Sequence, residues 1–380
     1  MSRARLLDVG ALVRDPATKI VVTTGSGGVG KTTTAAAVAL LAAEAGRRTV
    51  VLTIDPARRL AQSMGLTELD NNPRPVAGVK GELFAMMLDM KRTFDEVVLE
   101  HSAPDRAQQI FDNPFYQSLS SSFAGTQEYM AMEKLGQLAA TNEWDLIVVD
   151  TPPSRSALDF LDAPNRLGRF LDGRMIRLFT APARAGGRAY LKVVTASVGV
   201  FAKVFNRILG GELIADLSSF VTALETMFGG FRERAQHTYE LLKAPGTAFL
   251  VVAAPEPDAL REASYFVERL SAERMPLAGL VVNRVHRTEV TPGLAPLPAA
   301  RADAAAEALS AKPASESGAL AEAALRVHAE IASAAEHDAR MATRFTAAHP
   351  HVPVVQVPAL PVDVHDLDGL RTIAELLAPS

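Results

Sequence analysis

A glycine-rich loop near the N-terminus carries the residues of this sequence that are best suited to chemistry. Residues 25–32 read GSGGVGKT and complete the pattern G-x-x-x-x-G-K-[ST]. An apolar run at residues 20–24 precedes the loop, and an alanine-rich helical pattern at residues 33–45 follows it. Glycines allow successive backbone N–H groups to point at one phosphate, and the N-terminus of a helix adds its positive dipole end. The segment therefore predicts a binding site for the phosphates of a nucleotide.

Two side chains at the end of this loop suit phosphate and metal chemistry. In this pattern Lys31 reaches the β- and γ-phosphates, and the hydroxyl group of Thr32 is a ligand of Mg²⁺. Because positive charge stabilises a phosphoryl group in transfer, Lys31 is also predicted to be catalytic. The residues predicted to hold the nucleotide at this loop are Gly25, Ser26, Gly27, Gly28, Val29, Gly30, Lys31, Thr32 and Thr33.

Polar residues follow three of the predicted strands. Asp55, Asp150 and Asn283 each come directly after an apolar run. A doubly wound sheet binds its ligand at the carboxyl ends of its strands, so these residues are expected near the phosphate loop. Asp55 can orient an attacking water or contact Mg²⁺, and Asp150 matches the aspartate of a Walker B strand that holds Mg²⁺. The amide group of Asn283 can read the edge of an adenine.

Apolar runs alternate with helical patterns along the chain, which is typical of a parallel sheet with helices on both faces. The predicted fold class is α/β: a doubly wound, mainly parallel sheet of the P-loop NTPase type, with helical insertions that form a helical subdomain. The predicted strands are residues 20–24, 49–54, 83–89, 146–149, 247–253, 277–282 and 354–357.

The predicted organisation is one nucleotide-binding domain that two helical insertions interrupt. The domain comprises residues 1–90, 142–155 and 244–380, and the insertions are residues 91–141 and 156–243. Residues 291–318 are rich in Ala and Pro and have few large apolar side chains, so we expect a surface linker of low order there. Residues 319–347 are predicted to form one amphipathic helix.

The composition is that of a globular chain with little net charge. The formal net charge of −4 and the isoelectric point of about 6.1 offer no electrostatic case for a nucleic-acid partner. Cysteine is absent, which excludes disulfides and thiolate metal sites. The sequence shows neither a signal-peptide pattern nor an uncharged apolar stretch of about 18 residues. We therefore expect a cytoplasmic protein, with peripheral contact to a membrane left open.

Five segments, taken in order, resemble the ArsA-type P-loop ATPases. They read GSGGVGKTTTAAA, TIDPARRLAQSMG, VVDTPPSRSALDFL, AGLVVNR and VPALPVDVHDL. The family includes the arsenite-pump ATPase and the tail-anchored-protein targeting ATPase, and the resemblance is greatest to actinobacterial members that occur as paired subunits. It implies hydrolysis of ATP to ADP and phosphate with Mg²⁺, in a dimer whose nucleotides lie near the interface.

The resemblance also implies roles for individual residues. Asp55 corresponds to the water-activating residue of switch I, and residues 150–158 correspond to switch II. Asn283 corresponds to a residue that lines the adenine. Four further residues are implied on the adenine side, namely Pro358, Ala359, Leu360 and Pro361.

The chain departs from this family at the second position of the phosphate loop. The family usually reads GKGGVGKT there, with a lysine that reaches across the dimer, whereas this chain has Ser26. In related P-loop enzymes, a cation supplied by a partner subunit raises kcat by a factor on the order of 10³–10⁵. Either a paralogous partner with the lysine completes the site in a heterodimer, or Arg58, Arg59 or Arg155 replaces the charge. A homodimer, a heterodimer and a weakly active regulatory or scaffold subunit thus all remain open.

Two stretches of the second insertion bear on what the protein handles. Residues 193–202 carry no charge, which is typical of a central buried helix or of a surface for a hydrophobic client. Residues 166–192 are rich in Lys and Arg, which suits a solvated helix face or contact with an anionic membrane surface. Metalloid stimulation is not expected, because soft metalloids prefer thiolate ligands and the chain has no cysteine.

Overall fold

A computed structural model describes residues 5–55, 59–113, 116–117, 126–152, 233–288, 295–311 and 316–378 of the chain. The strands of this part are β1 (Ile20–Thr24), β2 (Thr49–Thr53), β3 (Arg74–Pro75), β4 (Leu83–Met87), β5 (Leu146–Asp150), β6 (Thr247–Ala253), β7 (Leu277–Val285) and β8 (Val354–Pro358). Its helices are α1 (Val9–Arg14), α2 (Lys31–Glu44), α3 (Arg59–Ser63), α4 (Met90–His101), α5 (Pro104–Phe111), α6 (Thr126–Ala140), α7 (Pro257–Ala272), α8 (Ala299–Ser310), α9 (Glu316–Ala348) and α10 (Leu367–Leu377). Residues 233–243 are also helical.

The described strands form one sheet in the order β3-β4-β2-β5-β1-β6-β7-β8. Each neighbouring pair is parallel except β3 with β4, which is antiparallel. Because parallel strands point the same way, the residues that follow β1, β2, β5, β6, β7 and β8 meet at one edge of the sheet. The predicted α/β class, with a mainly parallel sheet and helices, is confirmed.

The central strands are buried along their whole length, as their continuous apolar runs predict. Helix α2 packs on β1, β2 and β5 and is itself covered by α1 and α10. Its residues Ala35 to Ala43 are buried on all sides except at Leu41, which matches the alanine-rich sequence. This packing fixes the helix that begins at the phosphate loop.

The boundaries of the sheet follow local signals in the sequence. Strand β4 ends at Met87, two residues before the predicted end, because the side chain of Asp89 caps α4 by accepting a hydrogen bond from the backbone N–H of Arg92. The short edge strand β3 was not predicted, since Arg74 and Pro75 are both exposed and give no apolar pattern.

The predicted low-order linker at residues 291–318 is wrong over much of its length. Residues Ala299–Ser310 form helix α8, and α9 begins at Glu316. Helix α8 packs on α9 and buries Ala302 and Ala306 completely. Small alanine side chains bring helices close together, so a segment that lacks large apolar residues can still form a packed helix.

The chain divides into two compact units. The first comprises Met1–Met87, Glu143–Ala157 and Leu242–Ser380, and the second comprises Leu88–Asn142 and Leu158–Leu241. In the second unit the buried carboxylate of Glu133 pairs with the guanidinium of Arg234, 2.9 Å away. Burial raises the pKa of Glu133, and Arg234 opposes that shift. Among the described helices, none is both long enough and apolar enough to cross a membrane.

Several segments singled out from the sequence lie outside the described residues. These are the remainder of switch II from residue 153, the basic stretch 166–192, the uncharged stretch 193–202, Arg58 and Arg155.

Candidate active site

The phosphate loop joins β1 to α2, as the sequence predicts. Gly30 caps α2 with a φ of +92° and no side-chain hydrogen bond to the helix, so the first turn presents its N–H groups outward. A side chain at Gly30 would collide with the amide nitrogen of Asn283, and one at Gly25 would collide with the carbonyl oxygen of Val252. Glycine at both positions thus lets neighbouring strands approach the loop closely.

Lys31 lies at the start of α2 with only 6% of its surface exposed. Its Nζ donates a hydrogen bond of 2.7 Å to the backbone carbonyl of Ser26. Burial lowers the pKa of Lys31, while the nearby carboxylates of Asp150 and Asp55 act in the opposite direction. The ammonium group is therefore held inside the loop and poorly solvated, which favours an exchange of the carbonyl for a phosphate oxygen.

Asp150 ends β5 and is fully buried. Its Oδ2 accepts hydrogen bonds from the hydroxyls of Thr32, at 2.8 Å, and Thr53, at 2.9 Å. Burial raises the pKa of this carboxyl to about 6, although both hydroxyls and the Lys31 charge oppose the shift. Oδ1 is buried and has no hydrogen-bond partner among the described residues.

This donor set fits Mg²⁺. The buried carboxylate has one oxygen that can still accept a cation, and the hydroxyl of Thr32 donates to its other oxygen. Mg²⁺ commonly takes one or two protein oxygens and completes its shell with substrate phosphates and water. The described residues contain no cluster of three or more His, Cys, Asp or Glu that could hold a metal on their own.

Asp55 follows β2 and lies near Asp150 and Lys31. Its side chain is largely buried, and its backbone N–H donates to the hydroxyl of Thr53 at 3.2 Å. Thr53 therefore links the backbone at Asp55 to the carboxylate of Asp150. Sequence reasoning did not assign Thr53 a role, although a polar residue at the end of an apolar strand was a usable signal.

A cavity of about 870 Å³ opens above the carboxyl ends of the strands. Its volume is within the usual range for small-molecule sites. The residues of the phosphate loop, of the start of α2, of the end of β2 and of α3 that line it are Gly28, Gly30, Lys31, Thr32, Thr33, Asp55, Arg59, Gln62 and Ser63. Gly25, Ser26, Gly27 and Val29 belong to the same loop without lining the cavity. Lys31, Thr32 and Asp55 thus line one cavity. The fully buried Asp150 does not line it and is connected to it through the hydrogen bond from the hydroxyl of Thr32.

The other end of the cavity lies above β6, β7 and β8. Pro358, the last residue of β8, lines it together with the following Ala359 and Leu360, whereas Pro361 is exposed and does not. Asn283 also lines it, but its amide Nδ2 donates to the carbonyl of Val29 at 2.9 Å. Asn283 therefore stabilises the backbone of the phosphate loop at Val29. The sequence predicted only a contact with adenine for this residue.

Strand β7 is irregular where it borders the cavity. Val282 pairs with Gln356 but Val285 pairs with Pro358, so β7 contains one extra residue relative to β8. Arg284 within this bulge has a φ of +60°, a left-handed conformation that is uncommon for a residue with a side chain. Bulges of this kind redirect side chains, and Asn283, Arg284 and His286 all line the cavity.

His286 follows β7 and forms a close pair with Asp338 of helix α9. Oδ2 of Asp338 lies 2.8 Å from the backbone nitrogen of His286 and 2.8 Å from its ring Nδ1. Asp338 is 5% exposed, whereas the His286 side chain is about half exposed. Sequence reasoning missed the pair, but Asp338 shares a helix face with the buried Ala342 and Phe345, and a carboxylate on an apolar face was the available signal.

Arg59 is the one candidate replacement for the missing loop lysine that lies within the described residues. It begins α3, is exposed, lines the cavity and is near enough to Lys31 to lower the pKa of that ammonium group. The hydroxyl of Ser26 is buried and has no hydrogen-bond partner in the described part of the chain. Its short side chain supplies no charge to the cavity.

Known proteins resemble this chain over most of its length. Residues 18–294 match a family described as anion-transporting ATPase. ATPase ARSA2 of Chlamydomonas reinhardtii is 30% identical over 271 residues, which cover 70% of this chain and 68% of the relative. ATPase GET3C of Arabidopsis thaliana is 26% identical over 286 residues, covering 70% and 67%. ATPase ASNA1 homolog 2 of Paramecium tetraurelia is 24% identical over 280 residues, covering 72% and 78%.

Proposed function

Since this chain belongs to the anion-transporting, ArsA-type ATPase family and is an ATPase, we propose that it hydrolyses ATP with Mg²⁺ at the β1 loop and uses the nucleotide state to switch conformation within a dimer. The observation that carries the proposal is the buried carboxylate of Asp150, with one unpartnered oxygen, beside Thr32 and the charge of Lys31. A triphosphate and a divalent cation would together satisfy all three groups.

The order of the strands supports one orientation of the nucleotide. Strand β1 lies between β5 and β6, so the loop after β1 lies at the middle of the cavity edge. Asp150 and Asp55 follow strands on one side of β1, and the segment after β8 lies on the other side. The reacting phosphate would then point toward β5 and β2, with the nucleoside over β6, β7 and β8.

In the proposed mechanism, Lys31 leaves the carbonyl of Ser26 and donates to phosphate oxygens, and the N–H groups at the start of α2 hold the same phosphates. Thr32 and Asp150 hold the metal, and bound Mg²⁺ would neutralise part of the phosphate charge. Asp55 accepts a hydrogen bond from the attacking water and orients it in line with the leaving oxygen. Thr53 keeps Asp55 and Asp150 in register by bonding to both segments.

For the client, we propose a hydrophobic or membrane-associated partner rather than a metalloid. The uncharged stretch 193–202 supports an apolar client surface, and the basic stretch 166–192 supports contact with an anionic membrane. A thiolate site for arsenite is incompatible with a chain that has no cysteine.

Ser26 favours a second candidate function, that of a weakly active subunit in a heterodimer with a lysine-bearing paralogue. The loop supplies no charge at this position, and Arg59 is the described side chain best placed to compensate. Steady-state ATP hydrolysis by the purified chain separates the two functions. Turnover that Arg59→Ala abolishes supports a self-sufficient enzyme, whereas negligible turnover that the paralogue restores supports the heterodimer.

The proposed mechanism is tested at Asp55. Replacement Asp55→Asn keeps the size of the side chain but removes its negative charge and one of the two oxygens that can accept a hydrogen bond from water. We therefore expect kcat to fall about 10²–10⁴-fold while ATP affinity changes little. The matched control is Asp258→Asn, because Asp258 is an exposed carboxylate on α7. Normal turnover of Asp55→Asn would contradict the assigned role, as would an equal loss in the control.

A further inference from the structure

We propose that His286, held by Asp338, is a specificity-determining residue that accepts a hydrogen bond from the 6-amino group of adenine. The inference rests on the proposed function, because it requires the phosphates to bind at residues 25–32. It extends that function from phosphate chemistry to recognition of the base.

The pair has the geometry of a positioned ligand-binding imidazole. A single carboxylate oxygen of Asp338 contacts both the backbone nitrogen and the ring Nδ1 of His286, each at 2.8 Å. Two contacts from one buried atom fix both the backbone and the rotation of the ring. The two residues are far apart in sequence, on different elements, so the arrangement depends on tertiary packing.

The contact with Asp338 favours one tautomer of the neutral ring. The same oxygen of Asp338 accepts the backbone N–H of His286, and in the proposal the ring proton lies on Nδ1, where it donates to that oxygen. In the neutral imidazole the other nitrogen, Nε2, is then an acceptor. About half of the side chain is exposed, and the residue lines the cavity.

The location of His286 matches the nucleoside end of the cavity. It directly follows β7, whose last residue Val285 pairs with Pro358, and the backbone N–H of Ala359 donates to the carbonyl of Val285 at 3.0 Å. His286 therefore lies next to the segment proposed to line the adenine. The bulge at Arg284 lets residues on this part of the strand line the same cavity.

The chemistry of an acceptor at this point distinguishes between purines. Adenine presents an amino group at position 6, which donates, whereas hypoxanthine and guanine present a carbonyl oxygen there, which accepts. If Nε2 of His286 is an acceptor, it can bind the amino group of adenine. With hypoxanthine or guanine, it would face a second acceptor, the carbonyl oxygen. A site that hydrogen-bonds a donor discriminates against the analogue that lacks it.

The test compares binding of four probes, each with Mg²⁺, to the full-length wild type and to His286→Ala by calorimetry. The probes are ATP, inosine triphosphate, dATP and inorganic tripolyphosphate, which lacks a nucleoside. We expect the variant to lose about five- to tenfold in affinity for ATP, as for one hydrogen bond. Its affinity for inosine triphosphate and tripolyphosphate should stay at the wild-type value, so the preference for ATP over inosine triphosphate is lost.

Two more variants separate a direct contact from a structural effect. Asp338→Asn should reduce the same preference by a smaller factor, because the amide still accepts from the backbone of His286. The matched control His337→Ala alters an exposed neighbour that does not line the cavity, and it should bind all probes normally. Since the side chain of His286 is half exposed, His286→Ala decides the matter even if Asp338→Asn does not fold.

Three outcomes would overturn the inference. One is an unchanged preference for ATP over inosine triphosphate in His286→Ala, and another is an equal loss of tripolyphosphate affinity. The third is a loss that appears between ATP and dATP instead, which would assign His286 to the ribose. Failure of the wild type to bind either ATP or tripolyphosphate would instead contradict the proposed function.

Discussion

The two ends of the cavity are built differently. At the end proposed to hold the metal, called the metal end below, β5 pairs in regular register with β1 and β2, and Asp150 is buried among hydroxyl donors. At the end proposed to hold the nucleoside, called the nucleoside end, β7 contains a bulge, Arg284 adopts a left-handed backbone conformation, and His286 is half exposed. Regular strands thus position the groups assigned to phosphate chemistry, whereas an irregular strand positions those assigned to recognition.

The difference follows from what each end must do. Charge stabilisation requires fixed donors in a site from which water is excluded, and buried strand ends supply both. Recognition of a nucleoside requires side chains that face an open pocket, and a bulge supplies these without disturbing the rest of the sheet. In the protein without nucleotide, the charged groups at the metal end lower the free energy of unfolding, since burial disfavours the charges on both Lys31 and Asp150.

The largest effect should come from Lys31→Met at the metal end. The variant loses the charge that stabilises the transferred phosphoryl group, so ATP turnover should fall about 10³-fold or more. The unfolding free energy of the nucleotide-free protein should fall by no more than about 3 kcal/mol, because relief of a buried charge offsets part of the lost hydrogen bond and of the lost attraction to Asp150. Turnover assays and denaturant unfolding measure the two quantities.

The control for this prediction is Lys19→Met, since Lys19 is exposed and precedes β1 at the opposite end of the strand. It should change neither quantity. Normal ATP turnover by Lys31→Met would contradict the assignment of phosphate chemistry to the metal end of the cavity.

The pH dependence of stability should reveal the buried carboxyl of Asp150. Its pKa in the folded protein is about 6, above the usual 3.8, so the folded state binds this proton more tightly than the unfolded state. Stability that is fully present below the unfolded pKa of 3.8 is therefore lost as the pH rises through 6, by about 3 kcal/mol in total. Asp150→Asn cannot ionise and should lack this loss.

The measurement is the free energy of unfolding at pH 4 and pH 7.5 without Mg²⁺, for the wild type and the variant. The wild type should lose about 2 kcal/mol more than Asp150→Asn over this interval, because part of the total loss lies below pH 4. Equal changes in the two proteins would mean that the carboxyl is not desolvated as its position implies.

A smaller effect is expected from Asn283→Ala, at the junction of the two ends. The change leaves the carbonyl of Val29 without its donor and should lower the unfolding free energy by about 1–3 kcal/mol. ATP affinity should fall with little change in kcat, because the loop loses support rather than a reacting group. The exposed Asn72→Ala is the control. A loss confined to kcat would instead place Asn283 among the reacting groups.

Most of the sheet could be predicted from the sequence, because its strands are continuous apolar runs that end at polar residues. β1 and β6 have the predicted bounds, and β5 extends the prediction by one residue to Asp150. The phosphate loop could also be predicted from the sequence, since its function depends on local backbone geometry that a short pattern specifies.

The remaining features depend on contacts between distant segments. The contact of Asn283 with Val29 and the pair of His286 with Asp338 each join residues far apart in the chain, and no local pattern encodes them. The helix α8 was missed for a related reason, because its stability comes from close packing of alanines on α9 rather than from large apolar side chains.

The most direct test of the account is the effect of Mg²⁺ on ATP affinity in the wild type and in Asp150→Ala, measured by calorimetry. If the carboxyl end of β5 holds the metal beside the phosphates, Mg²⁺ tightens ATP binding to the wild type and has no such effect on the variant. The same gain in both proteins would contradict the assignment of Asp150 as the metal ligand, and with it the orientation of the nucleotide.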